Sequence, residues 1–374
     1  MKVLTVFGTR PEAIKMAPVI KALEAEPDKF VSKVCVTAQH REMLDQMMDV
    51  FQLSADYDLD LMREGQSPAQ VAGTILSRLP DILNETKPDI LLVQGDTMTT
   101  FAAGLSAYLA RIPVGHIEAG LRTGNLDHPF PEEMNRRLTT QVAQLHFAPT
   151  DSARNALLSE GVSESDVFVT GNTVIDALLA TIDSNHTFVS AELAALPEDR
   201  EILLVTTHRR ESFGKPLENI CNAIATLAKR YSEYQVVLPV HPNPNVKSHV
   251  VKSLGDLENV TLCDPLEYRD FVNIMGRAKL ILTDSGGAQE EAPSLNVPVL
   301  VLREVTERPE GVHSGASRLV GTDYDFIVAN AIELLEDQEA YSRMAASANP
   351  YGDGTAAAKI LKALGERLQP ASLD

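Results

Sequence analysis

Leu280-Ile281-Leu282-Thr283-Asp284-Ser285-Gly286-Gly287-Ala288-Gln289-Glu290-Glu291 is the stretch that decides the fold. Its short apolar start reads as a buried strand. The segment then turns into a helix opening at about Gly287. Paired glycines let the backbone turn tightly and approach a ligand without side-chain obstruction. Ser285 is placed to cap the helix and still offer its hydroxyl. The free amides and positive dipole end of such a helix suit an anion, phosphate above all. An ordinary strand-to-helix turn explains the same residues, but Glu291, one turn on, adds a carboxylate suited to a ribose diol.

The same strand–loop–helix unit repeats outward in both directions. Toward the N-terminus, strands are expected at Val3–Phe7, Val34–Thr37, Ile90–Val93, Val114–Ile117, Leu145–Ala148 and Val167–Thr170. Helices are expected between them, among others at Ala13–Leu23, Arg41–Val50, Thr99–Leu109 and Glu132–Val142. A second series has strands at Ile202–Thr206, Gln235–Val240, Val260–Leu262, Leu280–Thr283 and Val299–Leu302. This alternation predicts an α/β protein with parallel sheets and ligands at the carboxyl ends of the strands. Asp183–Arg200 carries no strand pattern and reads as a partly helical interdomain region. The turn Pro350-Tyr351-Gly352-Asp353-Gly354 sets off a last helix, Ala356–Leu368, expected to pack back on the first domain. The expected domains are 1–172, 173–354 and this terminal segment, 355–374. Two such domains would face each other across a cleft holding the site.

The 374 residues are 44% hydrophobic and 23% charged, ordinary for a globular chain with room for two cores. A net charge of −19 argues against a nucleic-acid or anionic membrane partner. Cys35, Cys221 and Cys263 are scattered, which fits a reducing, cytoplasmic location. No signal peptide or bilayer-length apolar run is read. G-x-G-x-x-G after the first strand, Walker A, H-E-x-x-H and Cys/His ligand spacings are missing, so neither a bound NAD nor a zinc is suggested.

The loops carry the chemistry. After the first strand, Arg10 and Lys15 lie at the positive end of a helix dipole, which calls for an anion, either a ligand or a carboxylate such as Glu12. Asp96 follows a strand and reads as a helix cap or a site residue. Glu118 needs a partner if buried, with Arg122 the near candidate. Glu132 opens a helix in Pro129-Phe130-Pro131-Glu132-Glu133, where the dipole alone would favour acids. Asp96, Glu118 and Glu132 together, from successive loops on one side of a sheet, suggest an acid and a base. In the second series, His208 with Arg209 and Arg210, and later Arg308, offer contacts to a phosphate or leaving group.

Taken in order, these stretches resemble the bacterial non-hydrolysing UDP-N-acetylglucosamine 2-epimerase family. The matches are Phe7 through Lys15, Thr37 through Leu44, Gly115 through Arg122, Pro131-Glu132-Glu133, Thr170-Gly171-Asn172-Thr173, His208 through Glu211, Thr283 through Leu295, Thr306 through Glu310 and Asn349-Pro350-Tyr351-Gly352. The resemblance implies two Rossmann-like domains of glycosyltransferase-B type. It implies reversible inversion at carbon 2 of UDP-N-acetylglucosamine to UDP-N-acetylmannosamine by elimination and re-addition of UDP, with no cofactor. It implies a cytoplasmic homodimer supplying N-acetylmannosamine for surface polysaccharide. Residue by residue, it places Arg10, Lys15, Asp96, Glu118, His208, Ser285, Gly286, Gly287, Glu291 and Arg308 around the UDP-sugar and Phe271 beside the uracil. For that reaction Asp96, Glu118, Glu132 and His208 are the expected catalytic residues, the three carboxylates sharing the proton transfers and His208 meeting the leaving diphosphate. Leu266 stands where related sequences often have a Gln near the uracil. An allosteric UDP-N-acetylglucosamine site is implied near Gln39 and Arg209, matched in part, since Gly65 stands where some relatives carry an Arg. A UDP-sugar glycosyltransferase or a hydrolysing 2-epimerase is the alternative enzyme, and a non-catalytic nucleotide-sugar sensor the alternative of another class. Turnover of UDP-N-acetylglucosamine alone, with or without free UDP accumulating, separates them.

Overall fold

The computed structural model describes residues 1–38, 41–61, 65–207 and 213–367. The chain forms two compact units, Met1–Ala177 together with the chain from Gly352 onward, and Leu178–Tyr351.

The first unit carries β1 (Lys2–Phe7), β2 (Val31–Val36), β3 (Tyr57–Asp58), β4 (Ile90–Gln94), β5 (Val114–Ile117), β6 (Leu145–Ala148) and β7 (Val167–Val169). They pair in the order β3-β2-β1-β4-β5-β6-β7, every pair parallel. Leu4, Val6, Leu91 and Val93 pack against Val71, Ile75, Leu79 and Leu83 of the helix Pro68–Thr86. Those four recur at intervals of four, so one helix face is apolar. Ser67 caps this helix by accepting from the Gln70 amide, and Gln70 answers by accepting the Ser67 amide. The last helix, Ala356–Arg367, packs on the helix Arg10–Ala25, and its first amides donate to the Asp176 carboxylate at 3.2 and 2.9 Å.

The second unit carries β8 (Ile202–Thr206), β9 (Gln235–Pro239), β10 (Val260–Cys263), β11 (Ala278–Thr283), β12 (Val299–Val301) and β13 (Ser317–Leu319). Their order is β10-β9-β8-β11-β12-β13, again all parallel. Leu203, Val205, Leu280, Leu282 and Leu300 pack with Ile220, Ile224 and Leu227 of the helix Lys215–Arg230 and with Ile327 and Leu334 of Tyr324–Glu336. All three cysteines are free thiols buried in these cores.

Some expectations shift. The edge strands β3 and β13 lack an apolar run and were not read from sequence. Asp183–Arg200 holds one short helix, Ala191–Ala194, and folds into the second unit. The buried Asp270 carboxylate gathers it, pairing with His186 Nε2 at 2.7 Å and accepting the Ser190 amide at 2.8 Å.

In each sheet the winding reverses once, at β1/β4 and at β8/β11. At such a switch point the loops leaving the strands part and open a crevice for ligand. The loops there begin at Gly8, Gly95, Thr207 and Asp284.

Candidate active site

At the first switch point the backbone leaves β1 through Gly8. A Cβ here would overlap Thr37 Oγ1, so only glycine fits. Glu12, 2% exposed, turns its carboxylate back into this loop. It accepts from the Gly8 amide at 3.0 Å, the Thr9 amide at 2.8 Å and Thr97 Oγ1 at 2.6 Å. Burial raises its pKa, against the pull of those donors. Glu12 is therefore not the counterion of Arg10 or Lys15. It ties the loop after β1 to the loop after β4. Arg10 makes no ion pair among the described residues, while Lys15 is paired with Glu118 at 2.5 Å.

Glu118 follows β5 with a φ of +63°, in the left-handed region that costs a non-glycine residue free energy. Its carboxylate receives Lys15 Nζ, Asn172 Nδ2 at 2.9 Å and Gln94 Nε2. The pairing with Arg122 expected from sequence is not made. Gly120 packs against the Ala153 carbonyl, and beyond it Arg122 forks onto Glu160 with two 2.8 Å bonds. The chain turns between the two residues, and their short separation in sequence does not become a contact.

Asp96 is held through its carboxylate and its backbone carbonyl. Arg136 Nε and Nη2 reach its carboxylate at 2.9 and 2.7 Å, and Asn135 Nδ2 donates to its carbonyl at 2.9 Å. The preceding carbonyl, Gly95, accepts from His116 Nε2 at 2.7 Å. A carbonyl only accepts, so Nε2 bears the proton. Burial pushes the His116 pKa down to about 3, leaving a neutral ring. Arg136 is itself anchored on Glu133 at 3.3 Å. Burial opposes charge on Glu133, yet the Thr123 amide and the Arg137 and Arg136 guanidiniums hold its carboxyl below the usual range. Its neighbour Glu132 opens the helix Glu132–Val142, and Glu132 Oε2 is buried without a hydrogen-bond partner among the described residues. A buried carboxylate oxygen without a protein donor is a place for a ligand proton or hydroxyl.

At the second switch point the helix is the six-residue Gly286–Glu291, one residue earlier than expected. Ser285 occupies the capping position, but its hydroxyl makes no cap bond. Its amide donates to Thr283 Oγ1 at 2.9 Å, which pins the turn from inside and leaves the hydroxyl uncommitted to the helix. A Cβ on Gly287 would lie 3.7 Å from Glu291 Oε2 and 3.8 Å from Ser285 Oγ, so the three gather round one small opening. Arg308 lies over Gly286 and bonds Glu290 Oε1 through Nε at 2.5 Å. Glu290, not foreseen from sequence, orients this cation. Phe271 and Leu266 are half-buried, Phe271 on the helix Tyr268–Gly276. His208, Arg209 and Gln39 lie outside the described residues.

The family model described as UDP-N-acetylglucosamine 2-epimerase matches residues 21–365. The Escherichia coli K12 UDP-N-acetylglucosamine 2-epimerase is 55% identical over 370 residues, 97% of this chain and 98% of that one. This chain belongs to that family. It is an isomerase, and its two Rossmann-like units are of the glycosyltransferase-B type. The crystal structure of the UDP-GlcNAc 2-epimerase from Neisseria meningitidis bound to UDP-GlcNAc is 50% identical with a TM-score of 0.88, covering 98% of this chain and all (100%) of that one. A Staphylococcus aureus protein in a co-structure with UDP is 46% identical with a TM-score of 0.86, covering 98% of this chain and 96% of that one. Among the described residues, no helix of this isomerase is long and apolar enough to cross a membrane.

Sequence reasoning assigned no role to Gln94, Asn172, Arg136, Glu133 or His116. A signal existed for some of them. Gln94 ends the apolar strand Ile90–Gln94 and Asn172 follows β7, both buried. A buried amide at a strand's carboxyl end needs a polar partner. Which partner it finds depends on the sheet order.

Proposed function

We propose that the enzyme interconverts UDP-N-acetylglucosamine and UDP-N-acetylmannosamine without net hydrolysis. UDP is eliminated to a glycal intermediate and re-added, with the carbon-2 proton returned on the opposite face. The observation that carries this reading is the convergence of Lys15, Gln94 and Asn172 on Glu118, at the same sheet end that presents Asp96 and the unpartnered oxygen of Glu132. A carbon-2 proton is weakly acidic, so removal needs a base in place and a stabilised leaving group. Positioned acid–base groups contribute roughly 10²–10⁴-fold each. Electrostatic stabilisation of the departing charge often contributes more than either.

Asp96, Glu118 and Glu132 share the proton transfers. Lys15, held against Glu118, extends positive charge toward them. Arg10, His208 and Arg308, with the amides of Ser285–Gly287, take the diphosphate, Glu291 the ribose and Phe271 the uracil. Support comes from the relatives whose structures hold UDP-GlcNAc and UDP. On the family resemblance, the enzyme works as a cytoplasmic homodimer supplying N-acetylmannosamine units, with a second substrate molecule acting near Gln39 and Arg209.

The test is turnover in heavy water with Asp96→Asn, Glu118→Gln and Glu132→Gln. Each variant is expected to lose about 10²-fold or more in kcat. Wild-type rates and carbon-2 deuteration in all three would refute the proposal.

A further inference from the structure

Asn349-Pro350-Tyr351-Gly352 stands out in the sequence, yet the chemistry above does not use it. The structure gives it a task. Tyr351 is 3% exposed, and its hydroxyl donates to the Arg308 carbonyl at 3.1 Å while accepting the Gly311 amide at 3.0 Å. Its ring fills the space beside Gly311, where a Cβ would stand 3.2 Å from the Tyr351 oxygen. Burial lifts the phenol well above its ordinary range, so it keeps the proton that it donates.

Two residues earlier, Asn349 Nδ2 donates to the Glu290 carbonyl at 2.8 Å and to Ser294 Oγ at 2.6 Å. Its Oδ1 accepts the Tyr351 amide at 3.0 Å, so the strap is folded on itself. The strap thus holds the backbone of both members of the Arg308–Glu290 ion pair. A side-chain chain runs parallel to it. The Arg308 amide donates to Thr306 Oγ1 at 3.0 Å, and Thr306 Oγ1 donates to Gln289 Oε1 at 2.6 Å.

We propose that Tyr351 and Asn349 are positioning residues that fix the Arg308 guanidinium for the diphosphate. The inference rests on the reading of Arg308 as a diphosphate ligand. Arginine recognises phosphate through a planar fork, so small errors in its direction weaken two bonds together. Removing the Tyr351 hydroxyl takes one partner from the Arg308 carbonyl and one from the buried Gly311 amide, and the turn carrying Arg308 loosens.

The experiment is calorimetric binding of UDP and of uridine to the full-length enzyme, to Tyr351→Phe, to Arg308→Ala and to the double variant. Tyr351→Phe is expected to weaken UDP about five- to tenfold and to leave uridine unchanged. In the Arg308→Ala background it is expected to change nothing further, since the two act as one unit. Asn349→Ala is expected to repeat the pattern, and it carries the test should Tyr351→Phe fail to fold. Equal losses for uridine and UDP, equal losses in both backgrounds, or no loss at all would overturn the proposal. Unchanged UDP affinity in Arg308→Ala would overturn the diphosphate reading itself and this inference with it.

Discussion

Glu12 is a buried carboxylate whose hydrogen bonds among the described residues all come from neutral groups, two amides and the Thr97 hydroxyl among them. Such a group is tolerated only where its donors are fixed. Glu12→Ala is expected to cost about 2–3 kcal/mol, because the Gly8 and Thr9 amides and the Thr97 hydroxyl all lose their acceptor. A urea midpoint measures that cost, and kcat should fall with it as the Asp96 loop loosens; Glu12→Gln, which keeps an acceptor, should lose less of both. The histidines have an acid signature. His116 and His146 are adjacent across β5 and β6, and burial lowers their pKa values to about 3 and about 4. The unfolded chain binds these protons near pH 6.5 and the folded chain does not. Their contribution to stability is therefore complete above about pH 6.5 and is lost as pH falls toward 4. Denaturation midpoints should drop from pH 7 to pH 5, and His146→Asn should flatten that slope. At this scale the sequence was legible in kind more than in pairing. Glu118 was recognisable as a carboxylate needing a partner, but its amide donors lie 24 and 54 residues away, and Arg122, four residues on, turned to Glu160.

Strands buried on both faces write themselves as unbroken Val, Ile and Leu runs, which is why the central strands could be read. β3 and β13, of two and three residues, lie at sheet edges and are defined by the neighbour they pair with. The turns differ in what their glycines do. Gly8→Ala would drive a methyl into Thr37 and is expected to destabilise the fold by about 1–3 kcal/mol. Gly287→Ala meets only ordinary contacts, the nearest at 3.7 Å, and should leave the melting temperature within a degree or two. Its methyl would enter the opening shared by Ser285 and Glu291, so UDP affinity should fall about tenfold or more. Thermal melts paired with UDP titrations of both variants check the contrast, and a Gly287→Ala enzyme that binds UDP normally would remove that turn from the site.

At the scale of the whole molecule, each unit encloses its own core and presents a switch point. The repeated strand–loop–helix pattern was enough to predict parallel sheets, because only crossovers through helices join strands in that order. The sequence carried less about the division of labour at the site, where Glu290, Gln94 and Asn172 serve the residues beside them. In the proposed reaction these loops move a proton at carbon 2 while UDP leaves and returns. Proton NMR of the purified wild-type enzyme with UDP-N-acetylglucosamine in heavy water tests it most directly. The carbon-2 proton signal is expected to disappear through deuteration as UDP-N-acetylmannosamine grows, with no stoichiometric build-up of free UDP. A carbon-2 signal that stays protonated while the manno product appears, or UDP and free N-acetylmannosamine accumulating together, would contradict it.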